Sequence, residues 1–185
     1  ETLMTVLCSL FIIETLMHRI QFDFSGAFLN AENDKGQHVR PPPGYPMPPG
    51  TDLLELLRAL YGMKDSGRRL CQLLKECLCK MGFVECPSAK CSFVKSAGNE
   101  PIMLYVHVDD GIVQSISRKV LDDIIAKLST QFKVTSEDLS WHLGWKIDAK
   151  DDRSWLKIFC PAYVDSMLQR FNMADYNSVA TPADH

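Results

Sequence analysis

Met103-Leu104-Tyr105-Val106-His107-Val108-Asp109-Asp110-Gly111-Ile112-Val113 is the stretch that decides the fold. Two apolar, partly β-branched runs flank an Asp-Asp pair and a glycine, the pattern of a β-hairpin with two carboxylates at its tip. Adjacent carboxylates repel one another, and a divalent cation would offset that repulsion. Asp-Gly is also a common turn former, so this segment alone leaves a metal site and an ordinary turn equally open.

Upstream, residues 19–24 alternate: Ile20, Phe22 and Phe24 share one face of a strand, Gln21 and Asp23 the other. Asp23 therefore projects from the polar face near a strand end, as either a solvated residue or a site carboxylate. Ser25-Gly26 ends the strand, and Ala27-Phe28-Leu29 begins a short helical or turn element. Residues 3–17 carry no internal Pro or Gly and predict a buried helix. That stretch is interrupted by Glu14 and lacks a basic start and a small-residue cleavage site, so it reads as neither a signal peptide nor a membrane span.

The polar loop 32–37 leads through His38-Val39-Arg40 into a Pro-rich turn at 41–44, read as a rigid internal connector. Residues 53–60 show a short helical pattern broken at Tyr61-Gly62. A second helix is expected over 66–80, with Leu70, Leu73, Leu74, Cys77 and Leu78 as its inner stripe and Gly82 as its stop. Lys64, Arg68 and Arg69 near its start oppose the helix dipole; they face an external anion or are simply solvated. Short strands are expected at 83–86 and 91–95, a helix at 119–128 capped by Ser117, and a brief strand at 132–135. Residues 143–147 and 154–159 read as a second hairpin, and Pro161 starts a helix to about residue 171.

The 185 residues favour one domain with a substantial core. A net charge of −3 gives no support for a generally basic nucleic-acid binder, though local patches remain open. Seven cysteines, an odd number, fit buried thiols in a reducing compartment, and the spacing of Cys77, Cys79, Cys86 and Cys91 is not that of a zinc finger or ribbon. The order of elements suits an α+β fold with helices covering one face of an antiparallel sheet. Such a sheet permits Asp23 to meet Asp109 and to clamp two metals about 4 Å apart, with carboxylate oxygens suiting Mg2+.

At this point the residues carry a family resemblance. Gln21-Phe22-Asp23-Phe24-Ser25-Gly26-Ala27-Phe28-Leu29-Asn30 resembles the first catalytic block of copia-type retrotransposon reverse transcriptases. Val39-Arg40-Pro41-Pro42-Pro43-Gly44-Tyr45 resembles the proline loop that follows it. Leu60-Tyr61-Gly62-Met63-Lys64-Asp65-Ser66-Gly67-Arg68-Arg69 is similar to the template- and nucleotide-side block. His107-Val108-Asp109-Asp110 matches the aromatic-Val-Asp-Asp signature, and Leu143-Gly144-Trp145-Lys146-Ile147 resembles the primer-grip region. Residues 163–182 resemble the downstream helix and Thr-Pro connector.

The resemblance implies a reverse-transcriptase-like polymerase palm over 1–171, truncated at its N-terminus, and a C-terminal connector over 172–185. It implies that Asp23 and Asp109 are the principal metal ligands, with Asp110 assisting and Phe24 giving its backbone carbonyl. It further implies two Mg2+ ions, with Mn2+ a possible substitute. Phe28 would act as a steric gate against a 2′-hydroxyl. Phe24, Phe28, Tyr61, Lys64 and Val108 would face the nucleotide, and Arg68, His107, Trp145 and Lys146 the template or primer. Departures from the family pattern are His107 for Tyr, Asp65 for Gln, Gly67 for Pro and Leu70 for Trp. Partners implied are a primed RNA or DNA template, deoxynucleoside triphosphates and the rest of a retrotransposon polyprotein. No membrane association is expected, and the location implied is a cytoplasmic retroelement particle or the nucleus. The competing readings are a catalytically inactive nucleic-acid-binding or structural remnant, and a metal-dependent phosphohydrolase, which fits the carboxylates but not the full set of blocks.

Overall fold

The alternation of residues 19–24 builds the strand around which the molecule is arranged. In a computed structural model, which describes residues 17–98, 100–150 and 155–175, β1 (His18–Phe24) buries Ile20, Phe22 and Phe24 and leaves Gln21 and Asp23 half-exposed. The short element after it is a 3-10 helix, Ala27–Asn30. Two further short strands, β2 (His38–Val39) and β3 (Leu54–Glu55), pair with each other. Then follow β4 (Val84–Glu85), β5 (Ser92–Ala97), β6 (Glu100–His107), β7 (Asp110–Ser115) and β8 (Val134–Asp138). With β1 they form a six-stranded sheet, order β4-β5-β6-β7-β1-β8, in which every pairing is antiparallel.

Helices α1 (Ser66–Lys80) and α2 (Arg118–Leu128) cover one face of this sheet. α1 has the bounds that its periodicity predicts. Leu70, Leu74, Cys77 and Leu78 are buried and Leu73 packs beside them. The helix stops where Gly82 adopts φ +86°, a conformation that a side chain resists. α2 contributes Leu121, Ile124 and Leu128; Ser117 stands at its N-cap without a side-chain capping bond. Each such Leu or Phe contributes about 1.5–3 kcal/mol on burial, so this face carries most of the stability.

Residues 53–60 are not helical. Their backbone groups instead pair with residues 31–39: Leu56 N–H donates to the Gln37 carbonyl at 2.8 Å, and Ala59 N–H to the Ala31 carbonyl at 2.9 Å. The Asn33 side-chain amide also donates to the Leu56 carbonyl at 2.7 Å. These distant partners outweigh a weak local helical preference.

A second, three-stranded sheet, order β11-β10-β9, comprises β9 (Trp141–His142), β10 (Trp145–Ala149) and β11 (Leu156–Phe159). Leu143 does not begin a strand. Leu143 and Gly144, at φ 48° and 84°, form the two-residue turn between β9 and β10. Pro161 opens α3 (Pro161–Arg170) as expected. The helix expected over 3–17, the hairpin tip at 151–154 and residues 176–185 lie outside the described residues, apart from Met17. Among the described residues, no helix is long and apolar enough to cross a membrane. The fold is thus α+β, with antiparallel sheets and three α-helices among the described residues.

Candidate active site

Strand register sets the site. On the sheet face away from α1 and α2, His107 stands opposite Asp110, Asp110 opposite Asp23, and Asp23 opposite Thr135. The next row on that face is Tyr105, Ile112, Gln21 and Glu137. Val108 and Asp109 form the two-residue turn of the β6–β7 hairpin, with Val108 at φ 60°. The Asp109 carbonyl accepts the Phe24 N–H at 2.9 Å, which docks the hairpin tip on the end of β1. The pair of carboxylates is therefore split: Asp109 is exposed at the tip, while Asp110 is half-buried at the start of β7.

Directly opposed residues of an antiparallel pair bring their Cβ atoms to about 5 Å, where like charges destabilise the sheet. Asp23 and Asp110 occupy such a position. Burial, then the charges of Asp109 and Asp110, push the Asp23 carboxyl above its ordinary range. Asp110 is raised by burial and then by Asp109, with His107 acting in the opposite sense. Among the described residues, none of the three pairs with a Lys or Arg. Their hard oxygen donors fit Mg2+. Also among the described residues, no three His, Cys, Asp or Glu side chains form a ready-made metal cluster. A cation here would complete its shell from backbone, water or substrate oxygens, as Mg2+ commonly does.

A cleft of about 550 Å³ opens over Asp23 and Asp110, lined also by Gln21, Glu137, Trp141, His142, Leu143 and Gly144. A second cleft, about 670 Å³, lies between α1 and the same hairpin and is lined by His107, Val108 and Gly67 among others. Leu143 borders both. His107 is exposed, its Nδ1 3.4 Å from the Tyr105 hydroxyl.

Phe28 is half-buried and meets the exposed Tyr61 ring at 5.9 Å between centroids, and neither lines the carboxylate cleft. Lys64 is exposed just before α1, and Arg68 lies 4.0 Å from Asp65, bordering clefts that contain neither Asp23 nor Asp110. Arg69 pairs with Asp34 at 2.6 Å and Asp65 at 3.1 Å, and Lys35 with Asp65 at 2.7 Å. The Lys35 and Arg69 bonds bring the Asp65 carboxyl down to about 2. Of the cations at the start of α1, Arg69 is thus answered within the chain, whereas Lys64 and Arg68 stand exposed. Trp145 and Lys146 stand on β10, Lys146 over the Phe159 ring at 5.4 Å, and the hairpin reaches the carboxylate cleft through Trp141–Gly144 instead.

Besides Gln21, which lies in a family-like block without a role of its own, the cleft residues that the sequence does not mark for the site include Thr135, Ser136, Glu137, Trp141 and His142. The alternation that put Gln21 on the face of Asp23 was a usable signal. Trp141 and His142 gave none, because their place depends on a turn whose first residue is leucine.

The chain matches the family model described as reverse transcriptase (RNA-dependent DNA polymerase) over residues 3–185. It is 32% identical over 164 residues to the retrovirus-related Pol polyprotein from transposon RE2 of Arabidopsis thaliana, covering 88% of this chain and 11% of that relative. The corresponding polyprotein from Arabidopsis transposon RE1 is 30% identical over the same shares. The transposon Ty1-GR3 Gag-Pol polyprotein of Saccharomyces cerevisiae is 34% identical over 60% of this chain and 6% of its own length. The chain thus spans a small part of the curated relatives it matches. No solved structure matches it. With the model matched over nearly its whole length, the chain belongs to the reverse transcriptase (RNA-dependent DNA polymerase) family, in its copia-type retrotransposon branch.

Proposed function

We propose that this chain forms the polymerase palm, over 1–171, of a retrotransposon polyprotein's RNA-directed DNA polymerase, followed by a connector over 172–185. It would extend a primer on an RNA or DNA template with deoxynucleoside triphosphates, inside the cell, in a retroelement particle or the nucleus. The observation that carries this reading is the facing pair Asp23 and Asp110 with Asp109 at the adjoining tip, in a chain of this family. Raised carboxyls without a paired Lys or Arg are the state expected of ligands built for a cation.

In the proposed reaction the primer 3′-hydroxyl attacks the α-phosphorus; a P–O bond forms, the bond to the β-phosphate breaks, and pyrophosphate leaves. Asp23, Asp109, Asp110 and the Phe24 carbonyl would hold two Mg2+ ions (or Mn2+), which when bound ease deprotonation of the hydroxyl and neutralise charge on the phosphates. Val108 and the Phe28–Tyr61 ring pair would border the nucleotide, with Phe28 disfavouring a 2′-hydroxyl. Lys64 and Arg68 would meet phosphates or template. His107 and the hairpin bearing Trp145 and Lys146 would guide the primer.

Primer extension tests the reading. The purified chain should incorporate deoxynucleotides with Mg2+, and a D23N/D109N variant should lose about a hundredfold or more in rate. Mg2+ should also raise the melting temperature of the parent chain more than that of the variant. An unchanged extension rate in the variant would remove these residues from the chemistry. Primer-template binding without incorporation in either Mg2+ or Mn2+ would favour the inactive remnant.

A further inference from the structure

Beside the carboxylates, one side chain spans from the large sheet to the small one. Gln21 stands on β1 two residues before Asp23 and on the same face. Its Nε2 donates to Glu137 Oε1 at 2.6 Å, and its Oε1 accepts the backbone N–H groups of Ser140 and Trp141, each at 3.0 Å. The amide orientation follows from its partners, since the NH2 must face the carboxylate and the oxygen must face the two N–H groups. Ser140 and Trp141 lead directly into the Trp141–Gly144 wall of the carboxylate cleft, which Gln21 and Glu137 also line. The neighbouring backbone link, Leu139 N–H to the Arg19 carbonyl at 3.2 Å, holds the approach to β9 but not β9 itself.

We infer that Gln21 is a positioning residue: by clamping Ser140 and Trp141 it fixes the β9–β10 turn over Asp23 and Asp110, and so sets where the primer end rests. A residue that merely filled space would not need three polar partners; leucine has a similar volume and none of these bonds. Three satisfied partners on a half-exposed side chain also leave little freedom for the turn to shift relative to β1. The identity of the strand that rests there depends on the polymerase reading above. The clamp itself depends only on the hydrogen bonds.

The test uses Gln21→Leu, Gln21→Glu and the swapped pair Gln21→Glu with Glu137→Gln. It reads amide hydrogen exchange at Ser140 and Trp141, with kcat and KM for a primed template. Q21L removes all three hydrogen bonds, and loss of the acceptor shared by the two amides should speed their exchange about tenfold and raise KM by a similar factor, with kcat changed less. Amides of the β6–β7 hairpin should keep their protection, which separates a displaced turn from a misfolded sheet. Q21E alone sets a carboxylate against Glu137 and should fall short. The swap restores a donor at 137 and an acceptor at 21, and should recover both exchange and KM. Parent-like exchange and KM in Q21L, or a swap that recovers neither, would overturn the inference. If the parent chain extends no primer the polymerase reading fails, while exchange in Q21L and in the swap still decides the clamp.

Discussion

Two ionisable neighbourhoods meet in the carboxylate cleft, and they respond to pH in opposite senses. Asp23 and Asp110 have raised carboxyl pKa values, so the folded chain holds their protons longer than the unfolded chain does, and their contribution to stability falls as pH rises above 3.8. His142 behaves in reverse. It is 6% exposed, its Nε2 has no hydrogen-bond partner among the described residues, and burial followed by the nearby His107 lowers its pKa from 6.5 to about 4. Between those two values the unfolded chain takes up a proton that folded His142 refuses. Its contribution is therefore complete above 6.5 and is lost as pH falls towards 4. His142→Gln should flatten the fall of the urea midpoint across that window, and Asp23→Asn should steepen it. Equal slopes in the parent chain and H142Q would show that His142 does not stay neutral in the fold.

At the scale of elements, the pairing of β7 with β1 rests on a contact that the Asp-Gly pattern conceals. Gly111 is not a turn glycine: it lies in β7 opposite Phe22, and a Cβ added there would sit 2.1 Å from the Phe22 ring. The ring lies where any other side chain at 111 would go, which brings β7 close against β1 and sets Asp110 beside Asp23. Gly111→Ala should cost about 1–3 kcal/mol by overpacking, and pairing it with Phe22→Leu should recover part of that loss in urea denaturation. Additive losses would mean that the ring does not fix the strand pair.

The same contact shows how far the sequence could be read. The strand at 18–24, the helix at 66–80 and the hairpin itself were legible because periodicity alone specifies them. The tip was not: Val108 at φ 60° takes a turn position that β-branched residues avoid, and Gly111 is there for Phe22 rather than for the turn. Leu143 at φ 48° hid the β9–β10 turn in the same way. Residues 53–60 resembled a helix because their partners lie some twenty residues upstream. Of the candidate site, the motifs name the three carboxylates that the fold brings together, whereas the Trp141–Gly144 wall depends on contacts between sheets that no local pattern encodes.

The molecule as a whole joins two sheets of unequal strength. The six-stranded sheet is backed by two helices and holds nearly all the buried apolar residues, whereas His142 and Ile147 are the buried side chains of the described β9–β11 strands. The sheets meet through Tyr105 and Ile112 against Leu139, Leu156 and Ile158, and through Gln21. The carboxylates thus stand on the firm unit, while the facing wall belongs to the weaker one. On the polymerase reading proposed above, that division would have a use, because the primer end would have to step past the carboxylates after every addition. Backbone amides of β9–β11 should therefore exchange by local opening at least about tenfold faster than those of β1, β6 and β7. A bound primed template should slow the former and leave the latter unchanged, as read by hydrogen-exchange mass spectrometry. Uniform exchange across both sheets would mean that they open as one cooperative unit, and the wall would then have to move with the carboxylates rather than against them.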